Sequence, residues 1–90
     1  MTQKQLRILL ADDDMDDRYV FELAIKELSK EILLSSVVDG EKLMAFLIDD
    51  SNQLPDILFL DINMPRKNGL DCLVEIKQNE KLKNSHTTRF

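Results

Sequence analysis

Ninety residues with 43% apolar and 32% charged side chains make one small domain, too short for two separate cores. A net charge of −5 argues against nucleic acid bound through its phosphates and against an anionic membrane surface, since both need a basic face. The single cysteine, Cys72, leaves no intramolecular disulfide and points to a reducing compartment. No apolar run approaches the roughly 18 residues of a membrane span. Met1-Thr2-Gln3-Lys4-Gln5 has no apolar stretch behind it of the signal-peptide kind, so a cytoplasmic location is expected.

Ile8-Leu9-Leu10-Ala11 is a short, continuously apolar run, as suits a strand buried on both faces of a parallel sheet. Asp12, Asp13, Asp14, Asp16 and Asp17 follow it. Acids that open a helix complement its dipole, and Asp14 suits an N-cap, so Asp14, Asp16 and Asp17 are read as structural. Val20, Phe21, Ala24, Ile25 and Leu28 recur at helical spacing, with Lys26, Glu27 and Lys30 on a solvated face. Arg18 is placed to pair with Asp14 or Glu22 one turn away. The run from Ile32 to Val38, interrupted by Ser35 and Ser36, reads as a strand with one wetter face at a sheet edge. Leu43, Met44, Leu47 and Ile48 mark a second helix after Gly40, with Met44, Phe46 and Leu47 read as core or interface.

Ile57-Leu58-Phe59-Leu60 is a third apolar strand, ended by Asp61. Pro55 and Pro65 fall in connections. After the Asn68-Gly69 turn, Leu70, Leu73, Ile76 and Lys77 mark a third helix, with Cys72 as a small core residue. From about residue 84 to residue 90 no apolar periodicity remains, so this tail is expected to fray and His86 to be solvated. Strands alternating with helices imply a parallel sheet with right-handed crossovers, an α/β fold, in one domain spanning 1–90.

In such a sheet, chemistry gathers beyond the carboxyl ends of the strands. Asp12 and Asp13 follow the first strand and Asp61 follows the third. On neighbouring strands these three carboxylates converge and repel, and a hard divalent cation relieves the repulsion. Mg²⁺ prefers oxygen ligands, keeps several waters, and pairs carboxylates with a substrate phosphate. Two other phosphate chemistries fit less well. A nucleotide site wants a glycine-rich turn after the first strand, where this chain has Asp12-Asp13-Asp14. A phosphatase of the haloacid-dehalogenase type wants an acid two residues after the nucleophile, where this chain has Asn63. An acceptor without that acid suits a longer-lived aspartyl phosphate.

Two segments carry a resemblance to a known family. Ile8-Leu9-Leu10-Ala11-Asp12-Asp13-Asp14 is one, and Leu58-Phe59-Leu60-Asp61-Ile62-Asn63-Met64-Pro65 with Asn68-Gly69-Leu70 is the other. Together they resemble the receiver domains of two-component response regulators, over about Lys4 to Lys83. The resemblance implies that Asp61 accepts a phosphoryl group from a histidine kinase or histidine phosphotransfer protein. It implies that Asp13 ligates Mg²⁺, that Asp12 helps to position it, and that Asn63 offers it a backbone carbonyl. Met64, Pro65 and Gly69 would shape the loop, with Gly69 supplying backbone freedom. It implies no enzyme beyond assistance to the chain's own phosphorylation and dephosphorylation.

The family's fourth strand ends in a Ser or Thr and its fifth in a Lys, and neither strand is read in this sequence. No apolar strand precedes Thr87 and Thr88, and Lys81 and Lys83 sit on a helix tail, so no switch Ser/Thr or Lys is assigned. The implied fold is three βα units of a flavodoxin-like doubly wound sheet, order 2-1-3, truncated after the third unit and lacking strands 4 and 5. The third strand then becomes an apolar edge, open to pairing in a homodimer. The expected function is that of a phosphoacceptor receiver in a phosphorelay. The alternative is an unphosphorylated, truncated receiver acting as an interaction or dimerisation module.

Overall fold

The two continuous apolar runs become the middle of a parallel sheet. In the computed structural model, which describes residues 5–82 and the backbone of Thr87–Arg89, strand β1 (Leu6–Ala11) pairs with both β2 (Ile32–Val37) and β3 (Ile57–Leu60). All pairs are parallel, and β2 lies at the edge, as its serine-interrupted pattern predicts. This is the α/β, flavodoxin-like order 2-1-3 expected from the sequence. Three helices connect the strands: α1 (Met15–Leu28), α2 (Gly40–Ile48) and α3 (Gly69–Gln78). Each starts at an Asx residue, namely Asp14, Asp39 and Asn68, whose side chain accepts a first-turn N–H. Such caps stabilise by about 1 kcal/mol each.

The sheet is covered unequally. On one face Leu9, Ala11, Leu58 and Leu60 pack with Leu43, Met44 and Leu47 of α2, Cys72 and Ile76 of α3, and Leu82. On the other face α1 alone among the described helices covers Ile8 and Leu10, with Phe21 meeting Phe59 edge-on at 4.9 Å between ring centroids. Val20 and Leu28 follow helical apolar spacing yet stay exposed, at 64% and 75%, because a single helix buries only the strip that faces the strands. Ile25 is the buried residue of that strip. Ile48 of α2 is likewise half exposed.

The sheet does not stop at three strands. A short β4 (Thr87–Arg89) pairs with β3 in parallel, Leu58 against Thr87, Phe59 against Thr88 and Leu60 against Arg89. The expected open edge on β3, and with it the premise for a homodimer through that edge, is therefore corrected along Leu58–Leu60. Thr87–Arg89 pairs where a frayed tail is expected, because apolar periodicity ignores what the backbone gains by pairing a buried neighbour. The rest of that tail, with Lys83 and His86, lies outside the described residues.

Candidate functional site

The parallel register brings the acids together. Ala11 lies opposite Leu60, so Asp12 and Asp61 leave the sheet side by side. The N–H of Asp61 donates to the Ala11 carbonyl at 2.9 Å, and the N–H of Asp12 donates to Val37 at 3.1 Å. Asp12, Asp13 and Asp61 each offer a carboxylate oxygen, all within 4.8 Å of one another. Asp12 is buried, Asp13 exposed and Asp61 between the two. These are the three carboxylates singled out by the sequence.

Asp12 is the uncomfortable member. Burial pushes its carboxyl above the ordinary 3.8, the Asp14 N–H bond offsets part of this, and the negative charge of Asp61 and then Asp17 adds to it. The Asp12 carboxylate accepts that N–H at 2.9 Å. Arg18 donates from Nη1 to the Asp12 carbonyl oxygen at 2.8 Å, rather than pairing with Asp14 or Glu22. Glu22 instead pairs with Lys26 at 3.0 Å. A carboxylate whose charge is disfavoured by burial and by two neighbouring carboxylates is one that a hard divalent cation would relieve.

The surrounding groove is lined by Asp13, Asp14, Met15, Asp16, Asp17, Asp61 and Asn63. Asp14 caps α1, accepting from Asp16 and Asp17 at 2.8 and 3.1 Å, which is the structural part read for it. Asn63 donates its N–H to Asp61 Oδ1 at 3.1 Å, so it stands beside the acceptor candidate. Met64 is buried in the core and anchors the loop from below, with Pro65 following on the surface. Gly69 gives its N–H to the Ile62 carbonyl at 2.8 Å. A Cβ there would strike the Asp61 carbonyl and lie 2.7 Å from Ile62 Cα. The reason for glycine is therefore room rather than the backbone freedom expected, since no glycine has positive φ among the described residues.

Among the described residues, no Ser, Thr or Lys lines the groove. In β4, Thr88 sits opposite Phe59, two residues before Asp61. At about 3.3 Å per residue that is roughly 7 Å short of the acceptor's level.

The structure adds residues that the sequence reading passed over. Asp39 is 4% exposed and caps α2 by accepting the Lys42 N–H at 2.8 Å. Arg66 has φ 67°, and its Nε lies 3.5 Å from Asp39 Oδ2. Lys67 pairs with Glu75. Gly40 packs against the Lys67 carbonyl with no space for a Cβ. An Asp just before the apolar periodicity of α2 is an N-cap signature that could have marked Asp39. Nothing local marks Arg66 or Lys67.

Comparison with known proteins agrees with this geometry. A family model described as the response regulator receiver domain matches residues 8–88. The chain is 35% identical over 80 residues to the response regulator Rcp1 of Synechocystis sp., covering 84% of this chain and 54% of that protein. It is 39% identical over 72 residues to the transcriptional regulatory protein CpxR of Klebsiella pneumoniae, covering 80% of this chain and 28% of that one. It thus spans about half of the first relative's length and less of the second's. Among solved structures, the Mn²⁺-bound form of Rcp1 aligns with a TM-score of 0.88 at 32% identity, covering 93% of this chain and 63% of that one. The phosphorylated cyanobacterial phytochrome response regulator RcpA aligns with a TM-score of 0.88 at 29% identity, covering 96% and 64%. No helix among the described residues is long and apolar enough to cross a membrane. By its fold, its paired acidic strand ends and this match along nearly its whole length, the chain belongs to the response regulator receiver domains of two-component systems.

Proposed function

We propose that this receiver accepts a phosphoryl group on Asp61 from the histidine of a kinase or phosphotransfer protein. The observation that carries the reading is the convergence of Asp12, Asp13 and Asp61 within 4.8 Å at the carboxyl ends of two adjacent strands. Asp12, Asp13, Asp61 and the backbone carbonyl of Asn63 would hold Mg²⁺. When bound, the cation neutralises charge on the transferring phosphoryl group. The Asn63 N–H bond to Oδ1 fixes the rotation of the Asp61 carboxylate. An Asp61 oxygen attacks phosphorus, the P–O bond forms as the donor's P–N bond breaks, and the imidazole leaves with a proton from solvent. The Mn²⁺-bound and phosphorylated relatives support the reading.

The chain acts on no external substrate in this reading. Asn63 stands where a hydrolytic acid would be needed, so the protein assists at most its own phosphorylation and dephosphorylation. A cytoplasmic setting and output through protein contacts go with it. A second reading is favoured by the groove's lack of a Ser, Thr or Lys among the described residues. In it the chain is an unphosphorylated receiver that works by binding a kinase or another receiver.

Intact mass after incubation with Mg²⁺ and acetyl phosphate separates the two. One phosphoryl adduct, lost on chelation and absent from Asp61→Asn, is the expected result. No adduct on folded protein would put the interaction module first.

A further inference from the structure

We propose that Arg66 and Asp39 form a latch that positions the loop between β3 and α3, making both positioning residues for a cation site that neither touches. The inference rests on the cation site proposed above at Asp12, Asp13, Asp61 and Asn63. That loop carries Asn63, which borders the acidic groove. Arg66 sits in the same loop with φ 67°, a left-handed conformation that L side chains rarely adopt. Something outside the loop must hold it there.

The holding contact is with the start of α2. Arg66 Nε lies 3.5 Å from Asp39 Oδ2 and its Nη1 lies 4.0 Å from Glu41. The Asp39 side chain is 6% exposed. Its other oxygen is fixed by the Lys42 N–H at 2.8 Å, so the carboxylate cannot swing away. A buried carboxylate left without a cation is strongly disfavoured. Arg66 is itself 65% exposed, so its part is the charge contact and not core packing.

The next residues tighten the same joint. Gly40 leaves no gap beneath the Lys67 carbonyl, and Lys67 pairs with Glu75 of α3. The loop is therefore pinned to α2 and α3 on one side while its Asn63 end meets the carboxylates. Outer-shell contacts that orient ligands in this way typically govern metal affinity by 10–100-fold.

The test is a Mg²⁺ titration followed by the amide NMR shifts of Asp13 and Asn63. It compares the wild type with Arg66→Ala, Asp39→Asn, the double variant, Arg66→Lys and Arg66→Gly. Asparagine keeps the N-cap, so Asp39→Asn removes charge without uncapping α2. Each single loss should weaken Mg²⁺ binding about tenfold. The double variant should be no weaker than the worse single, because one contact is removed either way. Arg66→Lys should recover part of the affinity. Arg66→Gly should weaken binding as much as Arg66→Ala does, yet lower the urea midpoint less, since glycine accepts the left-handed φ. A purely stabilising contact would not separate those two readouts. Wild-type protein that binds no Mg²⁺ overturns the cation site and the latch together. Normal wild-type binding with unchanged affinity in Arg66→Ala and Asp39→Asn overturns the latch alone, as do fully additive losses in the double variant.

Discussion

Gly40, the first residue of α2, lies so close beneath the carbonyl of Lys67 that no β-carbon fits between them. The obstacle is backbone, which cannot swing aside as a flexible side chain would. Gly40→Ala should therefore push the β3–α3 loop outward and cost about 1–3 kcal/mol, the usual range for overpacking. Urea unfolding should show a lower midpoint with an unchanged slope.

Asp12 makes the opposite prediction. It is 3% exposed and burial disfavours its charge, with Asp61 and Asp17 adding repulsion. Asp12→Asn removes that charge and should stabilise the metal-free protein, on the order of 1 kcal/mol. The same change should abolish most of the stabilisation that Mg²⁺ gives the wild type. Paired urea titrations with and without Mg²⁺ check both signs at once.

Cys72 is fully buried, and burial pushes its thiol above the ordinary 9.0, with Lys67 offsetting part of this. Only an opened molecule exposes it, and only its thiolate reacts. Alkylation by iodoacetamide at pH 8 should be slower than in urea on the order of 100-fold or more, in line with ordinary domain stability. Fast labelling of the folded protein would contradict the packing of α3 on the sheet.

Asp49 follows α2, and its carboxylate accepts from the Ser51 hydroxyl at 2.7 Å and the Ser51 N–H at 2.9 Å. The hydroxyl and then the N–H hold its pKa below the ordinary 3.8. A depressed carboxylate contributes stability above its unfolded pKa and loses it as pH falls through the folded value. Ser51→Ala should thus be slightly less stable than the wild type near pH 6. The gap should close below pH 3.8, as measured by thermal melts across that range.

The parts of this molecule that could be read in advance are those with local signatures. Ile8–Ala11 and Ile57–Leu60 are apolar without a break, and each ends in an acid, so both strands and the three-carboxylate cluster follow from the text. Asp14 announces itself as a cap by its place before a helical period. The parts that could not be read depend on approach between distant segments. Neither Gly40 nor Lys67 carries a mark of the other, and the left-handed Arg66 looks like any surface arginine in sequence. The strand Thr87–Arg89 is polar, and its pairing is dictated by the bonding needs of β3 rather than by its own pattern. Val20 and Leu28 obey helical spacing, yet spacing alone does not say how wide a face the partner surface can cover.

The unequal cover of the sheet sets an order of events when the molecule breathes. Helix α1 holds its side through Ile25 and the Phe21–Phe59 contact, while α2 and α3 share a continuous core with β1 and β3. Amide protons of α1 should exchange with deuterium through local undocking, well before those of Leu9 and Leu58, whose release needs the whole domain to open. Because Asp13 and Asp14 lead into that same helix, detachment of α1 would draw Asp13 away from Asp12 and Asp61, which stay bonded to the sheet, while the α2–α3 side stayed folded. Among the described helices, the one with the narrowest hold on the sheet is thus the one whose first turn follows directly from Asp13.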